Sequence, residues 1–191
     1  MYKNCTTEHS ALRQQQLEEC LLANMMVRPY AEISISDLCE QASISRKSFY
    51  RYFGNKDGCL CALLDRVLMN ASQSVFAAQA AGETLDGEFV HLLSFWKGQG
   101  QLLHLLISND LTGHFLERMM NHAVKEEQPL LKHLGMTDPN EHKERLLFST
   151  TGFLCVLLNW AENGFDLTVS QMAAKLTPLF TQPLFPQPLS I

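Results

Sequence analysis

No stretch of the chain restricts its fold more than residues 33–56, ISISDLCEQASISRKSFYRYFGNK. Ser34, with Asp37 three positions on, has the spacing of a capping box. Ile35, Leu38, Cys39 and Ala42 then follow at the i, i+3, i+4, i+7 interval of one helical face. Ser45 is placed to cap a second short helix after a tight turn. At ~100° per residue, Phe49, Tyr52 and Phe53 fall on one side of that helix, and Arg46, Lys47, Tyr50 and Arg51 on the other. The aromatic side can bury against Leu38, Ala42 and Ile44. Three cations and a phenol, followed by Lys56 with no carboxylate between, suit phosphate contact and base-edge hydrogen bonding. The rival reading of Arg46, Lys47 and Arg51 is a solvated helix face with no partner.

Helical periodicity recurs throughout and no segment sustains a period of two, so an all-α fold of about nine helices is expected. Leu17, Cys20, Leu21, Asn24 and Met25 mark one face of a first helix that RPYAEIS ends. Asn55 is placed to cap a long fourth helix carrying Leu60, Leu64, Val67, Leu68, Ala71 and Val75, with Gly82 as its stop. Asp86 is the expected cap of a fifth helix, and a sixth runs from about Gln99 to Ile107. A seventh extends from Asp110 to His133, with a kink at Pro129 and Gly135 as its stop. Asp138, Pro139 and Glu141 start an eighth that ends at Gly164. Thr168 and Gln171 cap a ninth ending near Phe180, and the proline-rich tail should be irregular.

A net charge of −5 argues against a nucleic-acid binder until its distribution is considered. Residues 1–56 hold seven Lys/Arg against six Asp/Glu, and the remainder eight against fourteen. The acidity therefore belongs to residues 57–191, while residues 43–56 carry basic charge alone. The start of the chain lacks the apolar run of a secretory signal, and no stretch reaches the ~18 uninterrupted apolar residues of a membrane span. A soluble, cytoplasmic protein is expected. Cys20, Cys39 and Cys155 lie inside apolar helical patterns, and Cys59 and Cys61 diverge on a helix, so neither disulfide nor structural metal is expected. His122 and Glu126 share a helix face but have no visible third ligand.

The same residues carry a family resemblance. ISISDLCEQASISRKSFYRYFGNKDGCL resembles the N-terminal domain of TetR/AcrR-type bacterial transcriptional regulators, through Ser34, Ser43, Ile44, Ser45, Phe49, Tyr50, Tyr52, Phe53 and Lys56. Two positions depart from that pattern: Ser43 stands where a turn glycine is usual, and Lys47 where glycine is frequent. The resemblance implies a three-helix DNA-binding domain over residues 1–56, an effector-binding and dimerisation domain over residues 57–181, and a tail over residues 182–191. It also implies that Tyr50 and Lys56 contact phosphate and that Arg46, Lys47 and Arg51 face bases or nearby backbone. The candidate DNA-contacting set is Ser34, Ser45, Arg46, Lys47, Ser48, Tyr50, Arg51, Tyr52 and Lys56.

Residues 146–161, LLFSTTGFLCVLLNWA, are apolar around most of a helix and need cover on two sides, either from a core alone or from a core and a symmetry mate. The candidate dimer contacts are Ser149, Gly152, Phe153, Leu157 and Trp160. Phe89, Leu92, Trp96, Leu103, Phe115, Met119, Met120 and Phe148 are the apolar candidates for an effector pocket, though ordinary core is the competing role for each. No nucleophile motif, phosphate-binding glycine loop or HExxH is present, so no catalytic residue, cofactor or enzyme activity is expected. The expected function is a homodimeric repressor that binds a palindromic operator and is released by a small-molecule effector. The alternatives are a helical interaction module whose helix-turn-helix is vestigial and a ligand-binding or enzymatic bundle.

Overall fold

The computed structural model describes Tyr2, residues 7–125 and residues 143–182. Those residues form nine α-helices: α1 (Glu8–Met25), α2 (Ile35–Gln41), α3 (Arg46–Tyr52), α4 (Lys56–Ala80), α5 (Leu85–Gly98), α6 (Gly100–Ser108), α7 (Thr112–Lys125), α8 (Lys143–Glu162) and α9 (Val169–Thr181). A single 3-10 turn, Tyr30–Glu32, separates α1 from α2. The protein is all-α, as its periodicity implies. The expected signals at Pro129, His133, Gly135 and residues 138–141, and the tail beyond residue 182, lie outside the described residues.

The helix ends follow sequence chemistry closely. Thr7, Ser34, Ser45, Thr84 and Thr168 each accept a backbone N–H in the first turn, and Ser34–Asp37 and Thr168–Gln171 close as full capping boxes. Asn55 caps α4 by accepting from the Gly58 N–H at 2.8 Å. The cap of α5 is Thr84 rather than Asp86, because Asp86 already lies in the first helical turn. Four helices end with a left-handed residue and the paired 6→1 and 5→2 bonds of a Schellman cap, centred on Ser43, Gly82, Asp110 and Gly164. Asp110 is thus the stop of α6, and α7 begins two residues after the start expected from sequence.

The chain divides into two compact units, Met1–Leu68 with Gln101–Arg118, and Met69–Gly100 with Met119–Ile191. The division falls inside α4. In the first unit Leu17, Leu21, Leu38, Phe49, Phe53, Leu60, Leu64, Leu103, Leu106 and Phe115 are buried. Each such side chain favours folding by about 1.5–3 kcal/mol over its exposed state. Beside them sit two ion pairs: Arg66 Nε to Glu18 at 2.7 Å, and Arg118 forked onto Asp65 at 2.6 and 2.5 Å. The Tyr2 hydroxyl also donates to Asp65.

In the second unit α5 packs along α9, with Phe89 and Phe180 rings 5.0 Å apart. Trp96 and Trp160 are buried there, and the Trp160 indole donates to the Leu167 carbonyl at 3.3 Å. Ser72 and His122 share a hydrogen bond of 2.7 Å. Gly100 admits the Phe165 ring, which a β-carbon at that position would meet at 2.8 Å. Among the described residues no three His, Cys, Asp or Glu side chains are grouped to hold a metal, and no helix is long and apolar enough to cross a membrane.

Candidate nucleic-acid interface

The turn between α2 and α3 decides how α3 is presented. Ser43 takes a φ of +52°, which lets the Ile44 N–H reach the Cys39 carbonyl at 2.9 Å and the Ser43 N–H reach Glu40 at 3.1 Å. A serine here carries a β-carbon into a region where glycine is free of strain, so the departure from the family pattern has a local cost. Ile44 is buried immediately afterwards. It anchors the turn from inside.

Ser45 caps α3 by accepting from the Ser48 N–H at 3.2 Å, and its hydroxyl donates to the Ser48 oxygen at 3.1 Å. Phe49 is wholly buried, Tyr52 is 4 % exposed, and Phe53 immediately after the helix is wholly buried; the Phe49 and Phe53 rings lie 5.2 Å apart. Arg46, Lys47, Tyr50 and Arg51 are exposed on the opposite side. Tyr50 is 49 % exposed, and its ring meets Phe49 edge-on at 5.6 Å, which holds the phenol outward without burying it. The two faces expected from helical spacing are those the structure shows.

Two of the expected contact residues have partners inside the protein. Tyr52 is an anchor: its ring is buried, and its hydroxyl accepts from Arg51 Nη2 at 2.9 Å while the guanidinium lies 5.0 Å from the ring centre. Arg51 retains other N–H groups for outside partners, since a guanidinium has five. Lys56 is likewise engaged inside the protein. Its ammonium donates to the carbonyls of Tyr30 at 2.5 Å, Ile33 at 2.8 Å and Ala31 at 3.4 Å, and sits 4.2 Å from the Tyr30 ring centre. An ammonium has three protons to donate, and the two shorter bonds, to Tyr30 and Ile33, engage two of them. Partial burial lowers the Lys56 pKa from its ordinary value, with Asp57 opposing.

Ser34 is exposed but serves the α2 capping box, with both bonds at 3.1 Å. Arg28 reinforces this corner by pairing with Asp37 at 2.9 Å and donating to Asn24 at 2.7 Å. Capping and the ion pair hold the Asp37 pKa below the usual carboxylate value, the Ser34 backbone bond first among the causes. The outward set is therefore Arg46, Lys47, Tyr50 and Arg51, edged by the hydroxyls of Ser34, Ser45 and Ser48. Tyr30, which sequence reasoning treated only as part of a helix stop, joins Lys56 and Asp57 at the start of α4 to Asn109. Its one sequence signal is an aromatic residue directly after the proline of the break.

The pocket candidates are distributed over both units. Leu103 and Phe115 belong to the core of the first unit, and Phe89, Leu92, Trp96, Met119, Met120 and Phe148 to the second. Phe148 is 65 % exposed and lines a groove of about 530 Å³ between α8 and α9, with Ser149, Gly152, Phe153, Leu176 and Phe180. Of the dimer candidates, Ser149, Gly152 and Phe153 border that groove, whereas Leu157 and Trp160 are buried within their own unit. The latter two face the core and have no surface to offer a partner.

Residues 24–63 match the family described as bacterial regulatory proteins, tetR family. Over 48 residues the chain is 48% identical to the HTH-type transcriptional regulator EthR of Mycobacterium tuberculosis, covering 25% of this chain and 22% of that one. The chain thus aligns with about a fifth of the length of the curated relatives it matches. Among solved structures, a TetR transcriptional regulator from Streptococcus agalactiae superposes with a TM-score of 0.65 at 16% identity, over 90% of this chain and 95% of that one. The fatty acid degradation regulator FadR from Bacillus halodurans gives 0.62 at 12% identity, over 95% and 98%. These two likenesses concern the fold. Residues 24–63 thus carry the helix-turn-helix segment of the tetR family of bacterial regulatory proteins, and the chain shares an all-helical fold with solved regulators along most of its length.

Proposed function

We propose that the protein is a DNA-binding transcriptional regulator that acts as a homodimer on a palindromic operator, represses from it, and is released when a small molecule binds. The observation that carries this reading is the two-faced α3: Phe49 and Phe53 wholly buried, Arg46, Lys47 and Tyr50 exposed, and no carboxylate within α3. A recognition helix needs an anchored inner face and first-turn side chains free to reach base edges in the major groove. Arg46 and Lys47 occupy that first turn. Tyr50 and Arg51 are placed for the flanking backbone, and Lys56 ties the start of α4 to residues 30–33. In this reading residues 1–56 contact DNA, and residues 57–181 carry the dimer and effector roles.

Dimerisation is supported by the outer face of α8. Phe148, Gly152, Cys155 and Asn159 are exposed at intervals of four, three and four residues, the spacing of a helix–helix seam. A β-carbon added at Gly152 meets no neighbour within 4 Å among the described residues, so none of them explains a residue that costs a helix interior about 1 kcal/mol. Close approach by a second copy of α8 explains it. Two recognition helices in adjacent major grooves must then lie ~35 Å apart. An effector that lowers operator affinity a hundredfold must favour a wrongly spaced dimer by about 2.7 kcal/mol.

The test is enrichment from a random-sequence duplex pool by the full-length protein, followed by binding titrations at two salt concentrations. The reading predicts an enriched palindrome and an affinity that falls steeply with salt. A pool from which nothing is enriched, or an affinity indifferent to salt, contradicts it and favours the interaction-module alternative.

A further inference from the structure

We propose that Asn109, the residue immediately after α6, is a positioning residue for DNA recognition, acting through the backbone of Tyr30; the inference rests on the DNA-binding reading above. Tyr30 is 8 % exposed, and each of its polar atoms is engaged. Its N–H donates to Asn109 Oδ1 at 2.6 Å, its hydroxyl donates to Asp57 Oδ1 at 2.7 Å, and its carbonyl accepts from Lys56 at 2.5 Å and from the Ile33 N–H at 3.2 Å. Burial and the bond to Asp57 push the phenol pKa well above its ordinary value, which keeps the hydroxyl a donor.

These contacts reference both ends of the helix-turn-helix to one residue. Ile33, whose carbonyl also takes a bond from Lys56, immediately precedes Ser34, the cap of α2. Lys56 and Asp57 open α4, three residues beyond Phe53, where α3 ends. The entry to α2 and the exit from α3 are therefore held on the Tyr30 turn. That turn is in turn fixed by Asn109.

Asn109 is itself held rigidly. Its Nδ2 donates back to the Leu105 carbonyl at 2.9 Å, which orients the side-chain oxygen toward Tyr30. Asp110 in the left-handed region and the Leu111 N–H on Leu106 at 2.8 Å close α6 immediately afterwards, with Leu111 buried. A buried backbone N–H needs a partner. Without the Asn109 acceptor the Tyr30 turn must shift to find another, and α2 and α3 shift with it.

The test uses the full-length protein and a fluorescent duplex enriched from the random pool, with an unrelated duplex of equal length as reference. Asn109→Ala should weaken binding to the enriched duplex at least about tenfold and leave the unrelated duplex within about twofold, so the ratio of the two affinities collapses. Asn109→Asp keeps the acceptor for the Tyr30 N–H but gives up the donor to the Leu105 carbonyl, so the ratio should fall clearly less than in the Ala variant. A merely structural role lowers thermal stability without moving that ratio. Should Asn109→Ala not fold, Asn109→Ser, whose hydroxyl is too short to bridge, takes its place with the same expected collapse. A folded Ala or Ser variant with the wild-type ratio, or an Asp variant as defective as Ala, overturns the proposal. A wild-type protein that enriches no sequence sinks the DNA-binding reading and this inference together, whereas enrichment with an unchanged ratio sinks the inference alone.

Discussion

Ser43 holds a β-carbon at a φ of +52° so that the backbone can turn from α2 into α3. Glycine at that position loses the strain but adds freedom to the unfolded chain, and the first effect is the larger. Ser43→Gly should stabilise the protein by about 0.5–1 kcal/mol, a rise of about 1–4 °C in Tm, with DNA binding retained. A lower Tm would show that the serine has a contact worth more than its strain. Glu18 makes a second prediction. Burial raises its pKa above the ordinary 4.5 of a glutamate, outweighing the bonds from Arg66 and Gln14. A carboxyl that holds its proton more tightly when folded costs stability once ionised. This contribution therefore declines as pH rises from about 4.5 through the higher folded value. Glu18→Gln keeps an acceptor for Arg66 and has no such titration. Its Tm relative to wild type should climb as pH rises through that window, and a difference independent of pH would refute the assignment.

At the scale of elements, α8 joins a buried face to an unpartnered one. Phe153, Leu157 and Trp160 are buried within its own unit, while Phe148, Gly152, Cys155 and Asn159 are exposed. Gly152→Arg places a long charged side chain where no described residue lies within 4 Å of a β-carbon, in the middle of the proposed seam. Sedimentation should show a shift from dimer to monomer with helical circular dichroism unchanged; a dimer that persists at micromolar concentration would exclude this face. The end of the same helix shows what sequence can and cannot reveal. Gly164 was legible as a stop, because a left-handed residue after a helix is usually glycine. Phe165, at a φ of +57°, was not. Its ring packs on Trp160 at 4.9 Å, and only tertiary packing supports such a backbone in a bulky residue. The outward and inward faces of α3 were similarly legible from 3.6-residue spacing. The fate of Lys56 depends on three carbonyls at least 23 positions away in sequence, and the Asn109–Tyr30 bond spans 79 positions. No local pattern encodes either. The pocket candidates show the same limit: hydrophobicity marks residues that bury, without marking which core receives them.

Over the whole molecule, charge limits where DNA can be met. The net charge of −5 comes from residues 57–191, while residues 43–56 hold four cations and no carboxylate. Binding through the latter must release counterions, and the strength of that dependence counts the phosphates engaged. Wild type and an Arg46→Ala, Lys47→Ala double variant, titrated with the enriched duplex and an unrelated one across a salt series, form the most direct test of α3 as the reading element. The account predicts a steep salt dependence in wild type. In the double variant it predicts a shallower one, with about 1–3 kcal/mol of sequence discrimination lost per base contact removed and no change in fold or oligomeric state. A double variant that discriminates between the two duplexes as well as wild type would contradict it.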